Sequence, residues 1–418
     1  MSVGTVLVIG GGISGITAAV EAAEAGLEVV LVERGPWLGG HVARYHRYFP
    51  KLCPPRCGLE IDLRRLRQAR GIRCHTSTEV RRLSGGPGAW RAHLEHGGRG
   101  VTESCTGCGA CAGVCPVSGP DEREFALARA PALRMPPPLA WPAQPAVDEA
   151  SCTGCGACLA ACQLGALAPK APPTTSEIVV QAVIFATGWE PPEASRFEGL
   201  GFGTHPDIVT NLMLERLCAA DGPTAGRLVR PSDGGSIRSV AFVQCAGSRD
   251  EQHLRHCSAV CCMATLKQAR YLREQYPEAE IHVFAIDLRA PGRGELFLAE
   301  IERDAKFFVH KGKVARVEPD PASGLLAVEA EDVLAGQRRR REVDLVVLAT
   351  GMAPTSGADP LPGGLKRDAS GFLLPSQAEA GLFACGCAAR PSDVAGCTRD
   401  AAGVVLRALQ ACAQVRHG

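Results

Sequence analysis

The stretch "TVLVIGGGISGITAAVEAAEAGLEVVLVERG" (residues 5–35) decides the fold. Five apolar residues read as a buried strand, an alanine-rich segment with helical spacing follows, and a second apolar strand ends at Glu33. Gly10, Gly12 and Gly15 stand between strand and helix as G-x-G-x-x-G. Glycines there permit a tight turn and let a pyrophosphate settle on the helix N-terminus, while Glu33 can accept a hydrogen bond from a ribose hydroxyl. The chain therefore opens as a dinucleotide-binding βαβ unit, which predicts an α/β fold.

Working outward, two further apolar strands close alike: "AVIFATGWEPP" (182–192), with Thr187 and Gly188, and "DLVVLATGMAPT" (344–355), with Thr350 and Gly351. Near the end comes "GLFACGCAARPSDVAGCTRDAAGVVLRAL" (381–409). Together these segments resemble the flavoprotein disulfide reductase superfamily, in which two Rossmann-type domains are interleaved. The resemblance implies FAD, with Gly39, Gly40, Thr187, Gly188, Thr350, Gly351 and Gly386 on flavin-contacting segments. Cys387 stands where that superfamily has aspartate, so Asp393 is the candidate to take over its hydrogen bond. On this reading the flavin domain occupies residues 1–100, 171–236 and 344–418, with insertions at 101–170 and 237–343. The second insertion again reads strand (238–244), helix (about 259–275), strand (281–287). "SGGPG" (84–88) and "PALRMPPPLAWPAQP" (131–145) read as linkers.

At 418 residues and 46% hydrophobic, the chain has material for two or three cores. Lys plus Arg (45) balances Asp plus Glu (44), which removes any electrostatic case for nucleic acid or an anionic membrane surface. No apolar run reaches the roughly 18 residues of a membrane span, and the first strand begins at once, without a leader pattern. The expectation is a cytoplasmic chain whose association with a membrane would run through partners. In that setting its 20 cysteines call for metal or redox chemistry rather than structural disulfides. Isolated Cys74, Cys218 and Cys412 are expected to be buried, inert thiols.

"SCTGCGAC" occurs twice, at 104–111 and 151–158. Cys105, Cys108, Cys111 and Cys115, then Pro116, give C-x2-C-x2-C-x3-C-P; Cys152, Cys155, Cys158 and Cys162 repeat the spacing, with Gln163 where proline is common. This pattern resembles the bacterial two-cluster ferredoxin, where each [4Fe-4S] centre takes three cysteines from one motif and the fourth from the other. The implied sets are Cys105, Cys108, Cys111 and Cys162, and Cys152, Cys155, Cys158 and Cys115. Zinc is the rival for such thiolates, and two copies of a four-cysteine run disfavour it.

"QCAGSRDEQHLRHCSAVCC" (244–262) falls where a second, nicotinamide-binding glycine loop would stand, yet offers only Gly247. Instead Cys245 ends the strand, and Cys257, Cys261 and Cys262 are expected to start the next helix, with Cys257 and Cys261 on one face and thiolate favoured by the helix N-terminus. Four converging thiolates suggest a third iron–sulfur centre; a reactive dithiol or buried thiols are the alternatives. In "YFPKLCPPRCGLEI" (48–61), Cys53 and Cys57 flank a stiff Pro-Pro spacer, and a structural role is favoured over a redox dithiol. His41, His46, His253 and His256 are expected to be solvated or hydrogen-bonded, not metal ligands.

"GGHVARYHRYFPKLCPPRCGLEI" (39–61), the ferredoxin repeat and "VQCAGSRDEQHLRHCSAVCCMATLKQA" (243–269) together resemble the heterodisulfide reductase A-subunit family, and within it the A subunits of quinone-interacting membrane-bound (quinone-modifying) oxidoreductase complexes. The resemblance spans nearly the whole chain. It implies FAD and a [4Fe-4S] centre on Cys245, Cys257, Cys261 and Cys262. For such complexes it also implies a related flavoprotein B subunit, a membrane haem-containing C subunit, and an electron link between menaquinone and adenylylsulfate (APS) reductase in dissimilatory sulfur metabolism. Flavin and clusters would do the redox work, so no catalytic side chain is expected. The rivals are flavin-based electron bifurcation of heterodisulfide reductase type, a free-standing NAD(P)H-dependent flavoprotein reductase, and a scaffold that only positions clusters.

Overall fold

The computed structural model describes residues 4–168, 172–333, 336–355, 365–374, 376–377 and 380–417. The chain divides into two compact units, Met1–Trp189 with Pro354–Gly418, and Glu190–Ala353.

In the first unit, strand Thr5–Ile9 lies inside a six-stranded sheet ordered Ser376–Gln377, Leu382–Ala384, Ala182–Phe185, Thr5–Ile9, Glu28–Val32, Ile72–His75. All neighbours run parallel except the edge strand Ser376–Gln377. Val6, Leu7 and Val8 are completely buried, as a strand covered on both faces requires. One face carries the first helix, Ile13–Glu24, whose small Gly15, Ala18, Ala19 and Ala22 let it lie close to the last helix, Val394–His417. The other face carries an antiparallel sheet of Thr78–Gly86, Ala89–His96 and Thr174–Val180, and Leu83, Trp90, Ala92 and Leu94 pack there with Leu7, Val30, Val183 and Phe185. "SGGPG" is thus not a linker: Ser84–Gly86 belong to a strand and the segment turns a hairpin, because short alternating strands flank it.

The cysteine repeat is inserted between strands Ala89–His96 and Thr174–Val180. Its two copies fold alike, each into a short helix (Ala110–Gly113 and Ala157–Ala161) entered through a glycine at positive φ. The Pro-rich stretch is also no linker. Leu133–Arg134 pairs with Ala146–Val147, while Leu139 and Trp141 pack on the core around the first helix.

The second unit holds a five-stranded parallel sheet ordered Ile208–Thr210, Leu345–Leu348, Ser239–Val243, Glu280–Ala285, Phe307–Lys311. A three-stranded antiparallel sheet, Val314–Pro319, Leu326–Asp332 and Gln337–Val343, completes it. This moves two expected boundaries. Residues 190–236 and 344–353, assigned above to the flavin domain, belong to the second unit, because Ile208–Thr210 and Leu345–Leu348 pair with its strands. Among the described residues no helix is long and apolar enough to cross a membrane.

Candidate flavin and iron–sulfur sites

In the first unit the glycine loop leaves the carboxyl end of strand Thr5–Ile9. A Cβ on Gly15 would lie 1.7 Å from the Gly10 carbonyl oxygen, so this glycine is needed for the fold itself. A Cβ on Gly12 would meet nothing nearer than the Gly40 Cα at 3.9 Å. Gly12 is therefore spared a side chain for the sake of something outside the polypeptide. Gly39 donates its N–H to Gly11 O at 2.8 Å, which brings Gly39 and Gly40 onto the glycine loop. Glu33 accepts from the N–H groups of Gly11 and Gly35, both at 2.6 Å, and so stands at the loop with its carboxylate oriented. The hydroxyls of Thr17 and Thr187 are buried without a hydrogen-bond partner, a cost of about 1–3 kcal/mol each unless something else supplies one. A bare cradle, an oriented carboxylate and orphaned hydroxyls fit a bound dinucleotide.

Gly386 sits above the same helix. A Cβ there would come within 2.1 Å of Ser14 Oγ and 3.4 Å of Cys397 Sγ, and its N–H is held by Asp400 at 2.8 Å. Asp393 spends one carboxylate oxygen on the Gly396 N–H (2.6 Å), capping the last helix. Thr350 and Gly351 belong to the second unit. There Gly351 donates its N–H toward the Cys261 thiol and crowds Ser248, placing this segment at the four-cysteine site.

The ferredoxin cysteines gather around a small core of Cys111, Leu133 and Leu167, against which Cys115, Cys158 and Cys162 pack. Burial pushes the Cys111 thiol up, and nearby Cys105 and Cys108 add to it; burial does the same to Cys158, with Cys152 and Cys155 adding. The first three thiols of each motif are thus close enough to feel one another's charge. Burial opposes ionisation of Cys115 too, but N–H groups of Leu133, Val117 and Ala132 outweigh it and bring its pKa down. Further N–H contacts reach sulfur at Cys105 (from Gly107, 3.4 Å) and Cys162 (from Ala166, 3.3 Å), the kind that tune a cluster. Sequence reading missed how this insertion is tied down. The Trp37 indole donates to Gln144 O (2.9 Å), Leu38 N–H to Trp141 O (2.9 Å), and the Gln144 side chain to Cys105 O (3.3 Å). The flavin loop and the first cysteine motif therefore share one hydrogen-bonded clamp.

In the second unit Cys245, Cys257, Cys261 and Cys262 line one cavity with Ser248, Ser258 and Arg289. The helix begins at Cys261 and ends at Gln275; Cys257 precedes it, because the chain turns back through Ala259 at φ +60°. Convergence comes from that turn, not from one helical face as the spacing implied. Cys245 (φ +56°) and Arg249 (φ +54°) are held in the same left-handed region, an unusual concentration for non-glycine residues and a mark of a functional site. The helix N-terminus does not make Cys261 and Cys262 acidic. Burial dominates, pushing Cys261 to about 12 and raising Cys245 and Cys262, with the neighbouring thiols adding repulsion. Anionic sulfur here needs positive charge, and Arg249 and Arg289, both paired with Asp287, supply part of it. Four thiols are the donor set of a [4Fe-4S] cluster, although among the described residues no group of three or more Cys, His, Asp or Glu side chains, these included, stands in place to hold a metal ion. Gly247 answers to packing instead of phosphate: a Cβ there would strike the Phe197 ring at 2.1 Å.

The other candidates fall into place. His41 hydrogen-bonds Trp189 O (2.9 Å) and stacks on that ring, His256 bonds Met352 O (2.8 Å), and His253 meets the Phe197 edge; His46 is half-buried. Cys218 and Cys412 are buried as expected; Cys74 is only half-buried, and burial lifts its thiol to about 12. Cys53 is paired in a short turn with Tyr48, and its thiol, raised first by burial, is hydrogen-bonded to the exposed Cys57.

Residues 5–48 match the family of FAD dependent oxidoreductases and residues 145–168 the 4Fe-4S binding domain. The chain is 37% identical over 420 residues to an iron-sulfur A subunit of the CoB–CoM heterodisulfide reductase of Methanopyrus kandleri, covering 97% of this chain and 64% of that protein. It is 33% identical over 416 residues to the A subunit of the H(2):CoB-CoM heterodisulfide,ferredoxin reductase of Methanothermobacter marburgensis, covering 96% and 63%. The chain thus spans less than two thirds of these relatives. In fold it is similar to Lactococcus lactis thioredoxin reductase (TM-score 0.54, 13% identity, covering 98% of this chain and 99% of that one). With its glycine cradle, its ferredoxin repeat and a similarity that spans nearly all of its own length, the chain belongs to the heterodisulfide reductase A-subunit family and carries an FAD dependent oxidoreductase domain and a 4Fe-4S binding domain.

Proposed function

We propose that this chain is the electron-transfer junction of a multi-subunit complex, of heterodisulfide reductase type, in which FAD exchanges electron pairs and three [4Fe-4S] clusters carry electrons singly. Gly10, Gly12, Gly15, Glu33, Gly39, Gly40, Thr187, Gly188, Gly386 and Asp393 would hold the dinucleotide. Cys105, Cys108, Cys111 and Cys162, and Cys152, Cys155, Cys158 and Cys115, would hold two clusters; Cys245, Cys257, Cys261 and Cys262 would hold the third. Flavin supplies the exchange between two-electron and one-electron traffic. The residues of this chain orient it, exclude water and set the charge around each cluster.

The observation that carries this reading is the cavity of four thiols at the carboxyl end of strand Ser239–Val243, where a nicotinamide-binding protein has bare glycine backbone. It speaks against the free-standing NAD(P)H-dependent reductase despite the thioredoxin reductase fold. The test is anaerobic flavin reduction in the purified chain: a one-electron donor of low potential should bleach the flavin and NADH or NADPH should not. Rapid bleaching by either nicotinamide would overturn the assignment, and a flavin that no donor reduces in the assembled complex would leave the clusters as a scaffold alone.

The names of relatives such as the M. marburgensis protein join a heterodisulfide and ferredoxin. That favours division of an electron pair between two acceptors as the wider role for this chain. The narrower assignment, a link between menaquinone and APS reductase through a haem-containing C subunit with its flavoprotein B partner, rests on sequence resemblance. Its test is co-purification: recovery of both partners and of APS reductase with the native chain supports it, and recovery of heterodisulfide reductase partners in their place refutes it.

A further inference from the structure

We propose that Cys387 and Cys397 form a thiol/disulfide couple built into the last flavin segment, oxidised by small hydroperoxides and restored by dithiols. Their sulfurs stand 3.5 Å apart, and both side chains are almost fully buried. Cys387 lies in the short turn Gly386–Ala388 and Cys397 in the first turns of helix Val394–His417. Three features hold them in register. Gly386 has no side chain, which lets Cys397 approach its backbone; Asp400 fixes the Gly386 N–H at 2.8 Å; and Cys387 donates its own S–H toward Ser392 O at 3.3 Å.

The two thiols are not equivalent. The contact with the Cys387 thiol, with Ser14, Ser392 and the Cys387 N–H adding to it, outweighs burial at Cys397 so that its pKa falls. Cys387 is driven the other way, by the same contact and by burial. Cys397, which the Ser14 and Ser392 hydroxyls and the Cys387 N–H surround, is taken as the attacking thiol and Cys387 as the resolving one; the products are the same with the roles exchanged.

The chemistry closes with two co-reactants, a hydroperoxide as oxidant and a dithiol as reductant. Cys397 sulfur attacks the terminal oxygen of hydrogen peroxide, breaking the O–O bond and giving a sulfenic acid and water. Cys387 sulfur then attacks the sulfenic sulfur; its proton leaves with the hydroxyl as a second water. The net change is two thiols and one peroxide to one disulfide and two waters. An added dithiol reverses it, becoming a disulfide itself. Forming the bond needs the sulfurs to close by about 1.5 Å from their present contact, to a bond of about 2.05 Å. Oxidation withdraws the Cys397 acceptor from Ser14, at the N-terminal turn of the first helix, so the couple reports to the dinucleotide cradle.

The test uses the whole chain, purified anaerobically and treated with one equivalent of hydrogen peroxide. Free thiols are then alkylated and the protein is cut without reduction on the amino side of Asp393, which separates the two cysteines. The expected result is a crosslink between the fragments carrying Cys387 and Cys397, lost on dithiothreitol treatment and absent from Cys397→Ser and Cys387→Ser. Cys385, two residues from Cys387 and fully buried, serves as the internal control. The proposal is overturned if both thiols stay alkylatable, if Cys397 accumulates as sulfinic acid without a crosslink, or if the crosslink persists in Cys387→Ser through Cys385.

Discussion

At the scale of single residues, neighbouring glycines of one motif do different jobs. Gly15→Ala drives a Cβ into the Gly10 carbonyl at 1.7 Å and is expected to destabilise the first unit by about 3 kcal/mol, read by chemical denaturation. Gly12→Ala meets open space in the protein, so the melting temperature of its apoprotein should match that of the parent apoprotein while FAD content falls steeply. Equal FAD occupancy in Gly12→Ala and the parent chain would show that the dinucleotide does not pass there. Cys261→Ser and Cys262→Ser should each lose about four irons and keep FAD, because serine does not replace thiolate as a cluster ligand. Removing the positive charge of Arg289, as Arg289→Gln, should make that cluster harder to reduce in a potentiometric titration. The glycine and cysteine spacings were legible because they are local. The contact of Cys387 with Cys397 was not: nothing in the sequence says that a turn and a helix start fold onto each other.

At the scale of elements, the helix Cys261–Gln275 is anchored by a buried ion pair, Lys267 to Glu215 at 2.9 Å, with Gln268 sharing the same carboxylate at 2.9 Å. Glu215→Ala leaves a charged ammonium inside the protein and should cost about 3–5 kcal/mol, whereas the double replacement Glu215→Leu with Lys267→Met should recover most of it. Denaturant midpoints of the three proteins decide. The strands and helices themselves were readable from apolar runs and the 3.6-residue period. Their partners were not, since "VIFATG" and "VVLATG" carry the same local pattern and only long-range pairing assigns one to each sheet. Likewise, the positive φ at Ala259 ends any helical reading of Cys257, and alanine gives no warning of it.

At the scale of the whole molecule, two α/β units and an insertion with a twofold cysteine repeat provide a dinucleotide cradle, a small core on which cysteines of both motifs pack, and a cavity lined by four more. This much could be read from the chain, because cluster motifs and glycine loops are punctuated by residues with few other uses. The clamp of Trp37, Leu38 and Gln144 is invisible there, as proline-rich sequence resembles a spacer until its carbonyls are seen accepting from the flavin loop. Losing the indole N–H in Trp37→Phe should remove about 1 kcal/mol of that attachment and speed hydrogen exchange in the insertion, leaving the second unit unchanged. The central claim is that flavin and three clusters share one polypeptide. Iron, acid-labile sulfide and flavin, counted per chain after anaerobic purification, test it most directly. The account predicts about twelve irons, as many sulfides and one FAD. About eight irons with one FAD would contradict it, leaving the ferredoxin repeat alone metallated and the thiols of "QCAGSRDEQHLRHCSAVCC" without a cluster.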